Sequence, residues 1–240
     1  MKRVRADVLL VARGLAPSRA KAREAIESGG VRAGGAAVEK PSDLVAEDAL
    51  LEVAAPYPWV SRGGVKLAHA LAAFGVDPAG KACLDIGAST GGFTDVLLAA
   101  GAARVYAVDV GHGQLHARLA GDARVVSLER TDARTLTSAV ISQAPALIVC
   151  DVSFIGAAKA LSAPLSLAAP GADLVVLIKP QFEAGPHRSA VLSQADARAA
   201  ASTALAALEG LAGFHLLAAG ASPILGGDGN LELLAHLRRA

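Results

Sequence analysis

An apolar run that ends in a charge is a natural place to look for chemistry. In VVLIKPQFE, residues 175–183, Val175, Val176, Leu177 and Ile178 have the composition of a strand buried on both faces, and the next residue is Lys179. Pro180 has no N–H to give a sheet ladder and stops the strand there, so the ammonium is expected at the mouth of a sheet and not inside it. ALIVCDVSF repeats the device with the opposite sign: Asp151 follows the apolar LIVC, and a carboxylate in that position needs a partner, for which a cation is the natural choice. Asp85 in ACLDIG, Asp109 in ARVYAVDV and Asp132 in LERTDAR fall at the ends of three further apolar runs. Side chains of these types at a ligand-facing edge can move a proton, offset developing charge or accept hydrogen bonds from sugar hydroxyls.

These side chains need a scaffold, and the pattern supplies one. From Lys81 onward, apolar runs (ACLDIG, ARVYAVDV, ARVVSL, ALIVCDVSF, DLVVLIKP, FHLLAAG) alternate with helical segments such as FTDVLLAAG and ADARAAASTALAALEG. The alternation predicts an α/β unit: a parallel sheet with helices on both faces, whose ligands bind at the C-terminal ends of the strands. The first strand runs into LDIGASTGGFTDVLL, where Gly87, Gly91 and Gly92 allow a sharp turn into a helix whose N-terminal amides face a ligand. Ser89 stands where a dinucleotide fingerprint would have its second glycine. Asp109, at the second strand end, is placed to accept both ribose hydroxyls of a nucleoside, and Asp132 to border its base.

Bulk composition narrows the classes further. A chain of 240 residues with 53% hydrophobic side chains can bury a sizeable core, in one large domain or two unequal ones. Cys83 and Cys150 each precede an aspartate in an apolar run and read as small buried hydrophobes in a reducing cytoplasm, without a disulfide or a metal site. The six histidines have no ligand spacing. No apolar run approaches the ~18 residues that cross a bilayer, and the opening MKRVRADVLLVARG is interrupted too early by Arg13 to be a signal peptide. Charge is distributed unevenly. Residues 1–40 hold nine basic and four acidic side chains, net +5, while the remaining 200 hold 14 basic and 18 acidic, net −4. A basic module on a mildly acidic body points to a polyanionic partner.

Within that module, ADVLLVARGLAPSRAKAREAIESGG predicts two short helices, the first ended by Gly14, the second capped by Ser18 and closed by Gly29–Gly30. VRAGGAAVEK predicts a tight hairpin around Gly34–Gly35, and DALLEV a further strand. The whole stretch from RADVLLVARG to DALLEV resembles the small RNA-binding domain first seen in ribosomal protein S4. That resemblance implies contacts to structured RNA through Arg5, Arg19, Lys21, Arg23 and Arg32. AAPYPWVSRGG, residues 54–64, carries two prolines and a glycine pair and reads as a stiff boundary, with Arg62 as a further RNA-facing candidate. The expected domains are 1–55 and 65–240, joined by a linker at 56–64. Beyond it, VKLAHALAAFG predicts a helix that carries Lys66, which an isolated reading would leave as surface.

DIGASTGGFTD resembles the first motif of S-adenosylmethionine-dependent methyltransferases. The set Lys66, Asp151, Lys179 and Glu232, the last from GNLELLAHL on the final apolar run, is similar to that of the FtsJ-type ribose 2′-O-methyltransferases. WVSRGGVKL, DIGASTGGFTD, VDVGHGQL, CDVSFI, IKPQFEAG and GNLE, in that order behind the basic module, resemble the TlyA family, whose members are known as hemolysin A and as rRNA 2′-O-methyltransferases. The resemblance implies a Rossmann-like methyltransferase sheet behind a small α+β RNA-binding domain. It further implies S-adenosylmethionine as cofactor, held by Asp85, Gly87, Ala88, Ser89, Thr90, Gly91, Gly92, Phe93, Thr94, Asp109, Val110 and Asp132, and no metal. The implied partner is ribosomal RNA or a ribosomal subunit, in the cytoplasm and without stable membrane association.

A ribose hydroxyl is a poor nucleophile, so the site must place its oxygen and assist loss of its proton. Two neighbouring ammonium groups disfavour double protonation, which suits Lys179 to that task, with Lys66 assisting and Asp151 and Glu232 balancing the charge. Departures from the family pattern fall in HGQLHARL, which has His112 and lacks the aromatic residues expected after the second strand, and in the loops GPHRSAVLSQAD and SPILGGDGN. A non-catalytic RNA-binding or membrane-active protein and a nucleotide-dependent oxidoreductase are the competing readings. The second leaves the lysines unexplained.

Overall fold

The computed structural model describes residues 2–54, 57–183 and 191–240. Ala55 and Pro56 of the expected linker, and residues 185–190 of the GPHRSAVLSQAD loop, lie outside the described residues. The chain divides into two compact units, 1–58 and 59–240.

In the first unit, β1 (Arg3–Arg5) leads into α1 (Ala6–Ala12) and α2 (Arg19–Glu27), followed by β2 (Val31–Ala33), β3 (Ala36–Ala37), β4 (Leu44–Ala46) and β5 (Leu51–Val53). The Ser18 hydroxyl caps α2 by accepting the Lys21 N–H at 3.3 Å. Gly34 and Gly35 both take left-handed φ, +57° and +81°, as a two-residue turn between β2 and β3 requires. The pairing of β1 with β4 was not expected; three residues each are too few to show a period of two. Leu10, Ala22, Ile26 and Val31 form the core. Asp7 is fully buried at its edge and accepts from Arg5 Nε at 3.0 Å and Arg19 Nη2 at 2.8 Å. The Arg5 hydrogen bond, aided by Arg19, outweighs burial and holds the Asp7 carboxyl well below the usual carboxylate range.

The second unit begins with α3 (Gly63–Phe74) and β6 (Ala82–Ile86), then α4 (Gly92–Ala99), β7 (Arg104–Val108), α5 (Ala117–Ala120) and β8 (Val125–Leu128). It continues through β9 (Leu147–Cys150), α6 (Ala157–Ser166), β10 (Asp173–Ile178), α7 (Pro180–Glu183), α8 (Gln194–Leu208), β11 (Phe214–Ala221) and β12 (Leu233–Arg239). The strands form one seven-stranded sheet in the order β11-β12-β10-β9-β6-β7-β8. Six strands run in one direction, but the expectation of a parallel sheet fails near one edge: β12 is reversed and pairs antiparallel with both β10 and β11. The link from β11 to β12 has no crossover helix, and without one the strand must reverse.

Alternate side chains of the sheet serve two cores. Leu84, Ile148 and Val176 pack with Leu161 of α6 and Ala201 of α8. Cys83, Val149 and Val175 pack with Leu67 of α3 and Leu97 of α4. Both cysteines are fully buried, and burial pushes the Cys83 thiol up to about 12. At the sheet edge away from the ligand side, Asp173 is buried among His236 (2.9 Å), Lys81 (3.1 Å) and Arg238 (2.8 Å), and its carboxyl stays below its ordinary value because these partners outweigh its burial.

Gly63 and Gly64, expected as linker, already belong to α3. A Cβ on Gly64 would lie 2.4 Å from Cγ of Trp59, so the indole covers the helix start only because no side chain stands there. Gly64→Ala must displace the whole Trp59 side chain. It should destabilise this unit by about 1–3 kcal/mol, read as a lower denaturant midpoint with an unchanged slope.

Candidate active site

The Gly87–Thr94 turn is built from backbone that only glycine adopts easily. Gly87 (φ +84°) and Gly91 (φ +93°) are left-handed, and a Cβ on Gly87 would lie 2.5 Å from the Asp151 carbonyl oxygen. Gly87 and Ala88 both donate their N–H to the Val108 carbonyl, at 2.9 and 3.1 Å, which seats the turn over β7. Ser89 is exposed and also left-handed (φ +47°). Thr90 accepts the His116 N–H at 3.2 Å, and Gly92 opens α4. The last two residues expected at a cofactor face inward: Phe93 lies in the core, and the Thr94 hydroxyl donates to Asp85 Oδ2 at 2.7 Å. Asp85 itself is fully buried, and its Oδ1 has no hydrogen-bond partner. Burial pushes the Asp85 carboxyl up to about 7, the Thr94 bond opposing and the nearby Asp151 charge adding to the rise.

Asp109 follows β7 directly and accepts the N–H of Ser89 on Oδ2 (2.8 Å) and of Gly111 on Oδ1 (2.7 Å), which fixes its carboxylate toward the cleft. Val110 beside it is 73% exposed. The wall beyond is organised by Glu129, which the sequence reading missed. Its carboxylate accepts the N–H groups of Gly113 (2.7 Å), Gln114 (2.9 Å) and Leu115 (3.3 Å) and meets His112 at 3.2 Å. Those backbone bonds, Gly113 foremost, hold Glu129 down at about 2. Asp132 lies four residues past the end of β8, where it caps the turn at Ala133–Thr135 and is engaged by Arg134, whose hydrogen bonds hold it at about 2. A cavity of about 710 Å³ opens between these groups, with Gly87, Asp109, Asp132, Asp151 and Lys159 on its walls.

The lysines stand at the same edge, each with a carboxylate. Lys179, directly after β10, approaches Asp151 Oδ1 to 2.6 Å, though off the hydrogen-bonding direction; its aligned bond goes to the Ser153 hydroxyl at 3.0 Å. Pro180 begins α7, where its missing N–H costs nothing. Lys66, one turn into α3, pairs with Glu232, and both side chains are almost wholly buried, 5% and 3% exposed. Glu232, expected on the last apolar strand, lies just before β12 begins. Because β12 is antiparallel and pairs Leu233 with Ile178, residues 232 and 179 fall beyond the same rung.

The SPILGGDGN loop closes over this pair. A Cβ on Gly226 would lie 2.8 Å from Glu232 Oε1, and one on Gly227 2.4 Å from Arg62 Nη2. Buried Asn230 ties that loop to Leu192 by accepting its N–H at 2.9 Å. Ser153 and Asn230 were not singled out by sequence, since a lone serine or asparagine after a strand has no distinguishing period. Among the described residues, no group of His, Cys, Asp and Glu could hold a metal ion.

The expected RNA-facing side chains are arranged less uniformly. Arg5 and Arg19 both turn onto Asp7, Lys21 pairs with Glu24 at 2.8 Å, and Arg32 Nε donates to the Gly35 carbonyl at 3.1 Å. Arg23 is exposed. Arg62 precedes α3 against Gly227.

The FtsJ-like methyltransferase family matches residues 59–239, and the S4 domain matches residues 4–51. The 16S/23S rRNA (cytidine-2′-O)-methyltransferase TlyA of Mycobacterium tuberculosis is 46% identical over 99% of this chain and 90% of its own length. The chain belongs to the TlyA family of FtsJ-like methyltransferases. A solved structure from Streptococcus thermophilus, described as a hemolysin, is 37% identical and superposes with a TM-score of 0.76 over 100% of this chain and 90% of that one. The N-methyltransferase NodS of Bradyrhizobium japonicum, solved with S-adenosyl-L-homocysteine, shares the fold at 19% identity and a TM-score of 0.52, over 76% of this chain and 88% of NodS.

The buried Lys66–Glu232 pair makes a sharp physical test. Lys66→Met alone leaves the Glu232 carboxylate buried without its cation and should cost about 3–5 kcal/mol of stability. Adding Glu232→Gln should recover much of that loss. Denaturant midpoints of the single and double variants give the coupling directly.

Proposed function

We propose that this protein transfers a methyl group from S-adenosylmethionine to the 2′-hydroxyl of a cytidine ribose in ribosomal RNA, free or in a ribosomal subunit, in the cytoplasm. The observation that carries the reading is Lys179, held by Asp151 and Ser153 at the strand-end edge beside the cleft. The TlyA relative named above is an rRNA (cytidine-2′-O)-methyltransferase, which supports the same assignment.

The residues present fit the cofactor. Asp85 has an unpartnered buried oxygen, Gly87 leaves a hollow that any Cβ would fill, and Asp109 is oriented by two backbone amides. Asp109 suits the ribose hydroxyls, the Gly87–Gly91 turn the close backbone approach, and Asp85 a cationic group. S-adenosylmethionine supplies, when bound, a methyl group already activated on a sulfonium centre. The chain's own task is then to place the ribose oxygen and handle its proton. Lys179, as the free amine, accepts that proton, and Asp151 stabilises the ammonium that results. Ser153 fixes the direction of Nζ, while the Lys66–Glu232 pair supports the same edge from behind.

Residues 1–55 supply RNA affinity in this reading and residues 65–240 the chemistry. Glutamate at Arg23 and Arg32 should weaken rRNA binding and flatten its salt dependence, because fewer counterions are released, while leaving cofactor affinity alone. Binding titrations across a salt series measure both.

The catalytic assignment is tested by Lys179→Met, which keeps the stem and removes the charge. Mass mapping of ribose methylation on treated rRNA should show transfer by the wild type and a loss of ~10² or more in the variant. A folded variant, saturated with cofactor and rRNA, that methylates within a few-fold of wild type would sink the role given to Lys179. A wild type that binds rRNA but never methylates it would favour a non-catalytic RNA-binding protein.

A further inference from the structure

The segment that carries Asp151 and Ser153 reaches α6 through an unfavourable conformation. Phe154 is non-glycine at φ +68°, a backbone state that persists only where the surroundings fix it. Gly156 is the residue before α6 and has no side chain to cap the helix. The Ala157 N–H at the first helical position is instead satisfied from another element, by Glu183 Oε1 at 2.8 Å. Gly156 makes room for that carboxylate: a Cβ there would lie 2.8 Å from Glu183 Oε2.

Glu183 ends α7, the four-residue helix that begins immediately after Lys179, so the two lie at opposite ends of one short segment. Residues 151–157 are fastened to residues 179–183 at successive points. Asp151 and Ser153 hold Lys179 at 2.6 and 3.0 Å, the Phe154 and Phe182 rings meet at 5.1 Å, and Ala157 is bonded to Glu183. Removing the last fastening would free the far end of a strained segment whose near end bears the reacting groups.

We infer that Glu183 is a positioning residue for the Lys179–Asp151 pair, acting through the Ser153–Gly156 segment that its carboxylate ties to α7. The inference rests on the methyl-transfer function proposed above. Burial raises the Glu183 carboxyl above its ordinary value, with the Ala157 bond opposing, so the neutral amide of Gln is a fair replacement that keeps the acceptor oxygen.

Three full-length variants test this with rRNA and S-adenosylmethionine. Glu183→Ala should lower kcat about tenfold or more by misplacing the pair, a larger change than in the Kd for S-adenosyl-L-homocysteine, since Asp109 is held by Ser89 and Gly111 and not by this segment. Glu183→Gln should stay within about threefold of wild type in kcat, because the tie to Ala157 survives. Glu183→Ala combined with Gly156→Ser gives α6 a cap of its own, in space the carboxylate has left. This double variant should regain thermal stability without regaining kcat, and it keeps the test open if Glu183→Ala folds poorly. Wild-type kcat in Glu183→Ala, full recovery of kcat in the double variant, or a Gln variant as slow as Ala would each overturn the inference. Absence of transfer by the wild type would instead overturn the proposed function.

Discussion

Two opposite charges buried together constrain everything around them. Lys66 and Glu232 have almost no contact with water, and either alone would be untenable in that interior. Their pairing therefore fixes α3 against the start of β12, and β12 can present Glu232 there only by running antiparallel beside β10. Gly226 and Gly227 follow from the same constraint, since side chains on them would collide with Glu232 and Arg62. The reversed strand is thus the way in which a chain segment 53 residues beyond Lys179 returns to the same edge.

The second constraint is close backbone approach. Gly87 lies against the Asp151 carbonyl, Gly64 under Trp59, and Gly156 against Glu183. Each contact brings a functional segment nearer to its neighbour than a Cβ would permit. In a core this dense, such contacts set positions to within a few tenths of an ångström, which is the precision that placing a reacting oxygen demands.

Much of this was legible in the sequence, for definable reasons. Strands buried on both faces are continuous apolar runs, so β6, β7, β9 and β10 announced themselves, and the charges at their ends marked the edge. Partners that depend on topology were not legible. The direction of β12 is set by the missing crossover helix, and Glu232 could be placed at a strand but not at its start. Glu129 was invisible because its role is to accept three backbone N–H groups, which leave no trace in side-chain pattern. Asp7 was read only as one of the four acids of the basic module, though its burial beside Arg5 and Arg19 changes what those arginines present.

The charges of the second unit are sorted by depth. Asp85, Asp109 and Asp151 gather at the inner edge, close enough that Asp151 and Asp109 both raise the Asp85 carboxyl. An edge of this kind attracts a cation and repels a phosphate. Lys179 stands at the boundary of that acidic group, neutralising Asp151 on one side. Arg134 and Lys159 on the cleft wall offset part of that acidity, Arg134 through its bonds to Asp132.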